Sequence, residues 1–159
     1  MTGAPEVVAA EVSEFLGAAL AGSSLERTVE WVDTDAAGHQ HNSVIMRFVE
    51  AAESKLFREL GLKGYFPISP RVRQEIDFKS KLYFGQSATA AIRIDRLGTS
   101  SMHFAFRVWG HPFEGNGLAV AAEGKVITVC VPEGSSGSGP WPAEIRQTIV
   151  DAQASGGRQ

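Results

Sequence analysis

Cysteine occurs once in the 159 residues, at Cys130. A single thiol excludes an intramolecular disulfide and a cysteine-based metal cluster, and it fits a reducing compartment such as the cytoplasm. Nor is there an excess of positive charge, since the formal net charge is −3. A chain of that balance has no global field to hold a polyanion, so a nucleic-acid role is disfavoured. Long uncharged apolar runs are missing as well. The alanine-rich stretch 4–21 carries Glu6, Glu11 and Glu14, with no basic residue before its apolar part. That pattern excludes a membrane span and does not read as a signal peptide. It reads as an added surface or interface helix. There is no internal repeat, and low complexity is confined to 133–139 (EGSSGSG), a flexible linker by composition.

What is present is enough apolar residue, 43% of the chain, for one domain with a real core. A first strand is expected over 25–32, followed by the polar loop Asp33-Thr34-Asp35-Ala36-Ala37-Gly38-His39. The strongest helix signal comes next. Asn42 suits an N-cap, Ile45, Phe48, Val49, Ala52, Leu56 and Leu60 recur every three or four residues, and Gly61 stands where a helix would end. Val44, Ala51 and Phe57 lie off that stripe and are also apolar, so more than one face of this helix must be covered. Four alternating runs follow, at 71–78, 86–96, 101–109 and 118–131, each expected to bury one face. The short links Gly98-Thr99 and Gly115-Asn116-Gly117 predict antiparallel hairpins. After the linker, Trp141-Pro142-Ala143-Glu144 resembles a helix start, with Ile145, Ile149 and Ala152 at helical spacing.

The run VEWVDTDAAGHQHNSVIMRFVEAAE resembles the signature of the 4-hydroxybenzoyl-CoA thioesterase family. It combines an aspartate in a D-x-D-x-x-G loop, a helix start seven residues later and an acidic residue two turns into that helix. The similarity of element order extends over about 25–131 and includes the proline-led strand at Ser69-Pro70-Arg71 and the Phe84-Gly85 turn. The resemblance implies an α+β hotdog fold, a five-stranded antiparallel sheet wrapped around a long central helix. Residues 1–24 would form a helical extension, 25–132 the thioesterase domain, and 133–159 the linker and a C-terminal helix.

Thioester hydrolysis needs a carboxylate that attacks the carbonyl or activates water. The resemblance places it at Asp35, ionised and partly shielded. The alternative for Asp35 is an Asx-type turn residue, and Asp33 competes with it because alternation puts both on one side if the strand continues. Backbone N–H groups near Asn42 would polarise the carbonyl oxygen. Glu50 is the rival carboxylate, because a related branch of the fold carries its acid on the central helix. Its plainer reading, shared by Glu53, is an ion pair with Arg47, Arg58 or a neighbouring subunit. His39, with Gly38, shapes the loop and is placed to orient substrate or water. A metal reading of His39 and His41 lacks further ligands, since only His103 and His111 remain.

Coenzyme A binding is expected at Arg96, Ser100 and Ser101, because related thioesterases hold the nucleotide with this turn of the neighbouring subunit. Many relatives have a basic residue at the position of Ser100. Ile45 and Met46 stand where many have tyrosine, which makes an acyl pocket less polar. The expected assembly is a homodimer or homotetramer acting on acyl-CoA, with no cofactor. Two other readings fit the same residues: a hotdog hydratase or dehydratase using Asp35 with His39, and an acyl-CoA-binding module that does no chemistry.

Overall fold

The computed structural model describes residues 3–156. Helix α1 (Ala4–Leu16) leads into strand β1 (Ala21–Thr28), a 3-10 turn (Trp31–Asp33) and helix α2 (Val44–Glu59). Strands β2 (Arg71–Phe78), β3 (Ser87–Leu97), β4 (Ser101–Gly110) and β5 (Ala119–Val129) follow, and α3 (Ala143–Gly156) ends the described chain. The five strands form one sheet in the order β1-β3-β4-β5-β2, antiparallel at every pairing. This is the hotdog arrangement that the resemblance implies.

Period drives the packing. Ile45, Phe48, Val49, Ala52 and Leu56 share one face of α2 and are buried against the even-numbered face of β4, where Met102, Phe104, Phe106 and Val108 are at most 1% exposed. Phe57, off the main stripe, stacks on Tyr65 with centroids 3.7 Å apart and meets Phe104 edge-on. Each such fully buried side chain contributes about 1.5–3 kcal/mol of transfer free energy. Gly61 closes the helix at φ 70°, a left-handed conformation that glycine adopts without Cβ strain.

The added helices cover what α2 leaves bare. On the opposite face of the sheet, Val8, Val12 and Phe15 of α1 pack with Ala91, Ala105 and Trp109. Arg93 donates to the Phe15 carbonyl at 2.6 Å and lies 4.3 Å from the Phe15 ring centroid. At the other terminus, Trp141 is 4% exposed, stacks on Tyr65 at 5.8 Å and donates from Nε1 to the Ser101 carbonyl at 3.1 Å. Ile145 and Ile149 are buried and Ala152 is half-buried, as their spacing predicts.

Three expectations change. The first strand begins at Ala21 and ends at Thr28 rather than spanning 25–32. Its first half is the weak strand former AGSS, held by antiparallel pairing with residues 91–94 of β3, which overrides propensity, and Gly22 fits where a side chain would meet Leu16 and the Ile92 carbonyl. Trp31 and Val32, apolar and expected in that strand, stand 75% and 72% exposed on the 3-10 turn. Second, the N-cap of α2 is Ser43, not Asn42, which lies in the preceding turn. Third, β2 does not bury a face in the single chain: Val72 and Phe78 are 58% and 51% exposed. The reason is position. β2 lies at the sheet edge and pairs only with β5.

The link from β2 to α2 is ionic. Arg71 reaches Glu53 at 3.2 Å and Glu50 at 3.4 Å. Glu53 is buried, and its Oε2 has no hydrogen-bond partner among the described residues. Burial pushes its carboxyl above the ordinary value, Arg71 opposes that shift, and the nearby Glu50 adds to it.

Two outcomes are expected. Trp141→Ala removes a ring packed on Tyr65 and lowers stability by about 3–5 kcal/mol in denaturant unfolding. For Glu53, the folded state holds the proton more tightly than the unfolded chain does. This group's contribution is therefore fully present below the ordinary carboxylate pKa and is lost as pH rises through the elevated value. Glu53→Gln keeps a partner for Arg71 but cannot ionise, so its melting temperature relative to the parent rises between about pH 4.5 and pH 8. A pH-independent difference across that range refutes the assignment.

Candidate active site

The loop between β1 and α2 is built by backbone hydrogen bonds before any side chain is considered. Val29 N–H donates to the Gln86 carbonyl and Gly85 N–H to the Val29 carbonyl, both at 2.8 Å, tying the end of β1 to the start of β3. Asp33 then turns inward. It is 7% exposed, accepts the Glu30 N–H at 2.9 Å, pairs with Arg47 at 3.3 Å, and its carbonyl accepts the His41 N–H at 2.8 Å. The strand does not continue to Asp35, so the two aspartates do not share a side as alternation would have it. The fully engaged Asp33 organises the loop.

Asp35 is exposed and free of ion pairs among the described residues. Its Oδ1 accepts the Ala37 N–H at 2.8 Å, its carbonyl accepts the Gly38 N–H at 3.0 Å, and its own N–H donates to the His39 carbonyl at 3.1 Å. This is an Asx-type turn, and it fixes the carboxylate with one oxygen turned to other partners. Gly38, at φ 84°, makes the turn possible. Beyond it, Gln40 is buried and clamps the loop to the β2–β3 connection: its Oε1 accepts the Leu82 N–H at 2.5 Å and its N–H donates to the Leu82 carbonyl at 2.9 Å. His39 Nδ1 faces the Gln40 carbonyl at 3.4 Å, so the imidazole and the Asp35 carboxylate do not form a hydrogen-bonded pair.

At the helix start, Ser43 N–H donates to His41 Nδ1 at 3.2 Å and Val44 N–H to the His41 carbonyl at 3.0 Å. The Asn42 N–H has no partner among the described residues. Such a free donor at the positive end of a sixteen-residue helix suits an oxygen gaining negative charge.

These parts meet in a cleft of about 430 Å³. Asp35, His39, Gln40, His41 and Asn42 line one wall, and Phe78, Lys79, Ser80 and Lys81 the other. The second wall is held by Lys79 and Ser80, whose N–H groups donate to the Ala121 carbonyl at 2.8 and 3.2 Å, and by Ser80 Oγ on the Val120 carbonyl at 2.8 Å. The sequence reading missed this wall. Its one signal was the run Phe78-Lys79-Ser80-Lys81 directly after a strand, two cations at alternate positions. Larger grooves of 670 and 910 Å³ border α1, and neither is lined by a residue of the Asp35 loop or of the N-terminus of α2.

The other expected site residues stand apart. Glu50 lies outside the cleft, 3.4 Å from Arg71, so its partner comes from β2 rather than from Arg47 or Arg58. Arg96 lines a separate groove with Arg73, His103 and Lys125. The β3–β4 turn that carries Ser100 and Ser101 is bound by the C-terminal segment. Trp141 N–H donates to the Thr99 carbonyl at 3.0 Å and Arg146 to the Gly98 carbonyl at 2.6 Å. No group of three His, Cys, Asp or Glu residues placed to hold a metal occurs among the described residues.

Both the sequence and the fold have counterparts among known proteins. The chain is 30% identical over 102 residues to the 1,4-dihydroxy-2-naphthoyl-CoA hydrolase of Thermosynechococcus vestitus, covering 60% of this chain and 68% of that one. It shares its fold with a predicted thioesterase from Bacillus stearothermophilus (TM-score 0.71, 23% identity, 83% of this chain and 96% of that one). The 4-hydroxybenzoyl-CoA thioesterase of Pseudomonas sp. strain CBS-3 has the same fold (TM-score 0.71, 17% identity, 80% and 99%). The profile of the thioesterase-like superfamily matches residues 29–149, which hold the Asp35 loop, α2 and the whole cleft, and the chain belongs to that superfamily.

Proposed function

We propose that the protein hydrolyses acyl-CoA thioesters in the cleft between the Asp35 loop and the segment after β2. The observation that carries this reading is that Asp35 and Asn42, whose N–H has no partner among the described residues, line one cavity. A thioester carbonyl seated between them has its oxygen toward Asn42 and its carbon toward Asp35. Asp35 either attacks that carbon, expelling the CoA thiolate to leave a mixed anhydride that water opens, or takes a proton from a water that attacks. Both routes give a carboxylic acid and free CoA. Asn42 acts through its backbone, holding the charge that gathers on oxygen. His39, bordering the same cavity, orients substrate or water. The hydratase alternative is disfavoured by local pattern, because hydratases of this fold place a proline between their Asp and His where this chain has Ala36-Ala37-Gly38.

The active assembly is a homo-oligomer in the cytoplasm. Asp35 is exposed in the single chain, whereas a catalytic carboxylate works best where water is restricted. A second copy supplies that cover, and the exposed Val72 and Phe78 on the bare edge of β2 are surfaces it would bury. Arg96, Ser100 and Ser101 of that copy then bind the nucleotide of CoA, and Gly38 admits the substrate close to the loop backbone.

The experiment is release of free thiol from a panel of aliphatic and aromatic acyl-CoAs. Asp35→Asn is expected to lower kcat by a factor of about 10³ or more, while Glu50→Gln stays within a few-fold of the parent. In single turnover in ¹⁸O-labelled water, label in the Asp35 carboxylate establishes direct attack with water opening the anhydride at the Asp35 carbon, whereas chemical trapping of the anhydride detects the same route when water opens it at the acyl carbon. Tight acyl-CoA binding with no thiol released above the uncatalysed rate would establish the binding-module reading instead.

A further inference from the structure

We infer that the cleft selects acyl groups bearing a negative charge of their own, such as an ω-carboxylate, and that Lys79 and Lys81 recognise it. The inference rests on the thioesterase reading and extends it to substrate class. Charge balance is the starting point. Among the described residues Asp35 is the only carboxylate lining the cleft, while Lys79 and Lys81 both border it. Lys79, half-exposed, makes a long 4.0 Å ion pair with Glu123, which Arg107 already holds at 3.0 Å, and Lys81 has no ion pair among the described residues. Their segment is nonetheless fixed by three hydrogen bonds to the carbonyls of Val120 and Ala121, so the two ammonium groups extend from an anchored base.

The phosphates of CoA are the obvious anions for such lysines, but reach argues against them. A cavity of about 430 Å³ has the volume of a sphere about 9 Å across. The pantetheine arm is an amide chain about as long as four extended residues, roughly 13 Å. With the thioester carbonyl at Asp35 and Asn42, the phosphates lie beyond the cavity, and what remains within the lysines' range is the acyl group. Phe78 offers its chain an apolar contact on the same wall. An acyl group ending in a carboxylate pairs with the ammonium groups, whereas a neutral one covers them without pairing and loses that attraction.

The test compares acyl groups of equal length with and without the charge: adipoyl-CoA against hexanoyl-CoA, and 4-carboxybenzoyl-CoA against 4-methylbenzoyl-CoA. Both members of a pair carry the same CoA, so any lysine contact with its phosphates cancels in the ratio. At least one pair should show a tenfold or greater kcat/KM preference for the charged acyl group. That preference falls toward one in Lys79→Gln/Lys81→Gln and inverts in Lys81→Glu. Binding of the uncleavable thioethers S-(5-carboxypentyl)-CoA and S-hexyl-CoA to the unmodified protein reads the same selectivity without turnover. Tenfold tighter binding of the first with no thioester cleaved removes the hydrolase reading and keeps this one. Thioester cleavage with no charge preference in either pair, or with a preference that survives loss of both lysines, overturns it.

Discussion

Everything in this molecule depends on burying one apolar stripe of α2 against the even face of the sheet. With Ile45, Phe48, Val49, Ala52 and Leu56 inside, the rotation of the helix about its axis is set. Its N-terminus must then open where the chain arrives from β1. The Asp35 loop and the segment after β2 converge on that point because both are pinned to the sheet, one through Gln40 on Leu82 and the other through Lys79 and Ser80 on Ala121. A site made from loops thus inherits rigidity from the core, into which those loops also send Val29 and Leu82.

Division of labour between two aspartates follows from the same geometry. Two residues apart in sequence, Asp33 is consumed by Glu30, Arg47 and the His41 backbone, while Asp35 keeps a carboxylate oxygen available. The buried carboxylate is structural and the exposed one borders the cleft. A second acidic pair repeats the contrast on α2, where Glu53 is buried and costly to ionise while Glu50 remains at the surface on Arg71.

Much of the architecture was legible in the sequence because it rests on period. The alternation at Met102, Phe104, Phe106 and Val108 and the three-to-four spacing in α2 survive intact. What could not be read came from pairing and position. Ala21-Gly22-Ser23-Ser24 is a strand only because β3 lies beside it at close range, and Val72 and Phe78 alternate like core residues although the edge strand leaves them uncovered. In the site, the Asp35 loop announced itself through its local pattern. The opposite wall did not, since Lys79 and Lys81 lie more than forty residues along the chain and nothing local to them indicates what they face.

The two terminal extensions leave the sheet asymmetric. α1, α2 and α3 all contact β1, while the outer edge of β2 carries no neighbour among the described residues. The open row of donors and acceptors along β2 can take one further strand, and if that strand is the same edge of another copy, the union has twofold symmetry and uses up that edge in both copies.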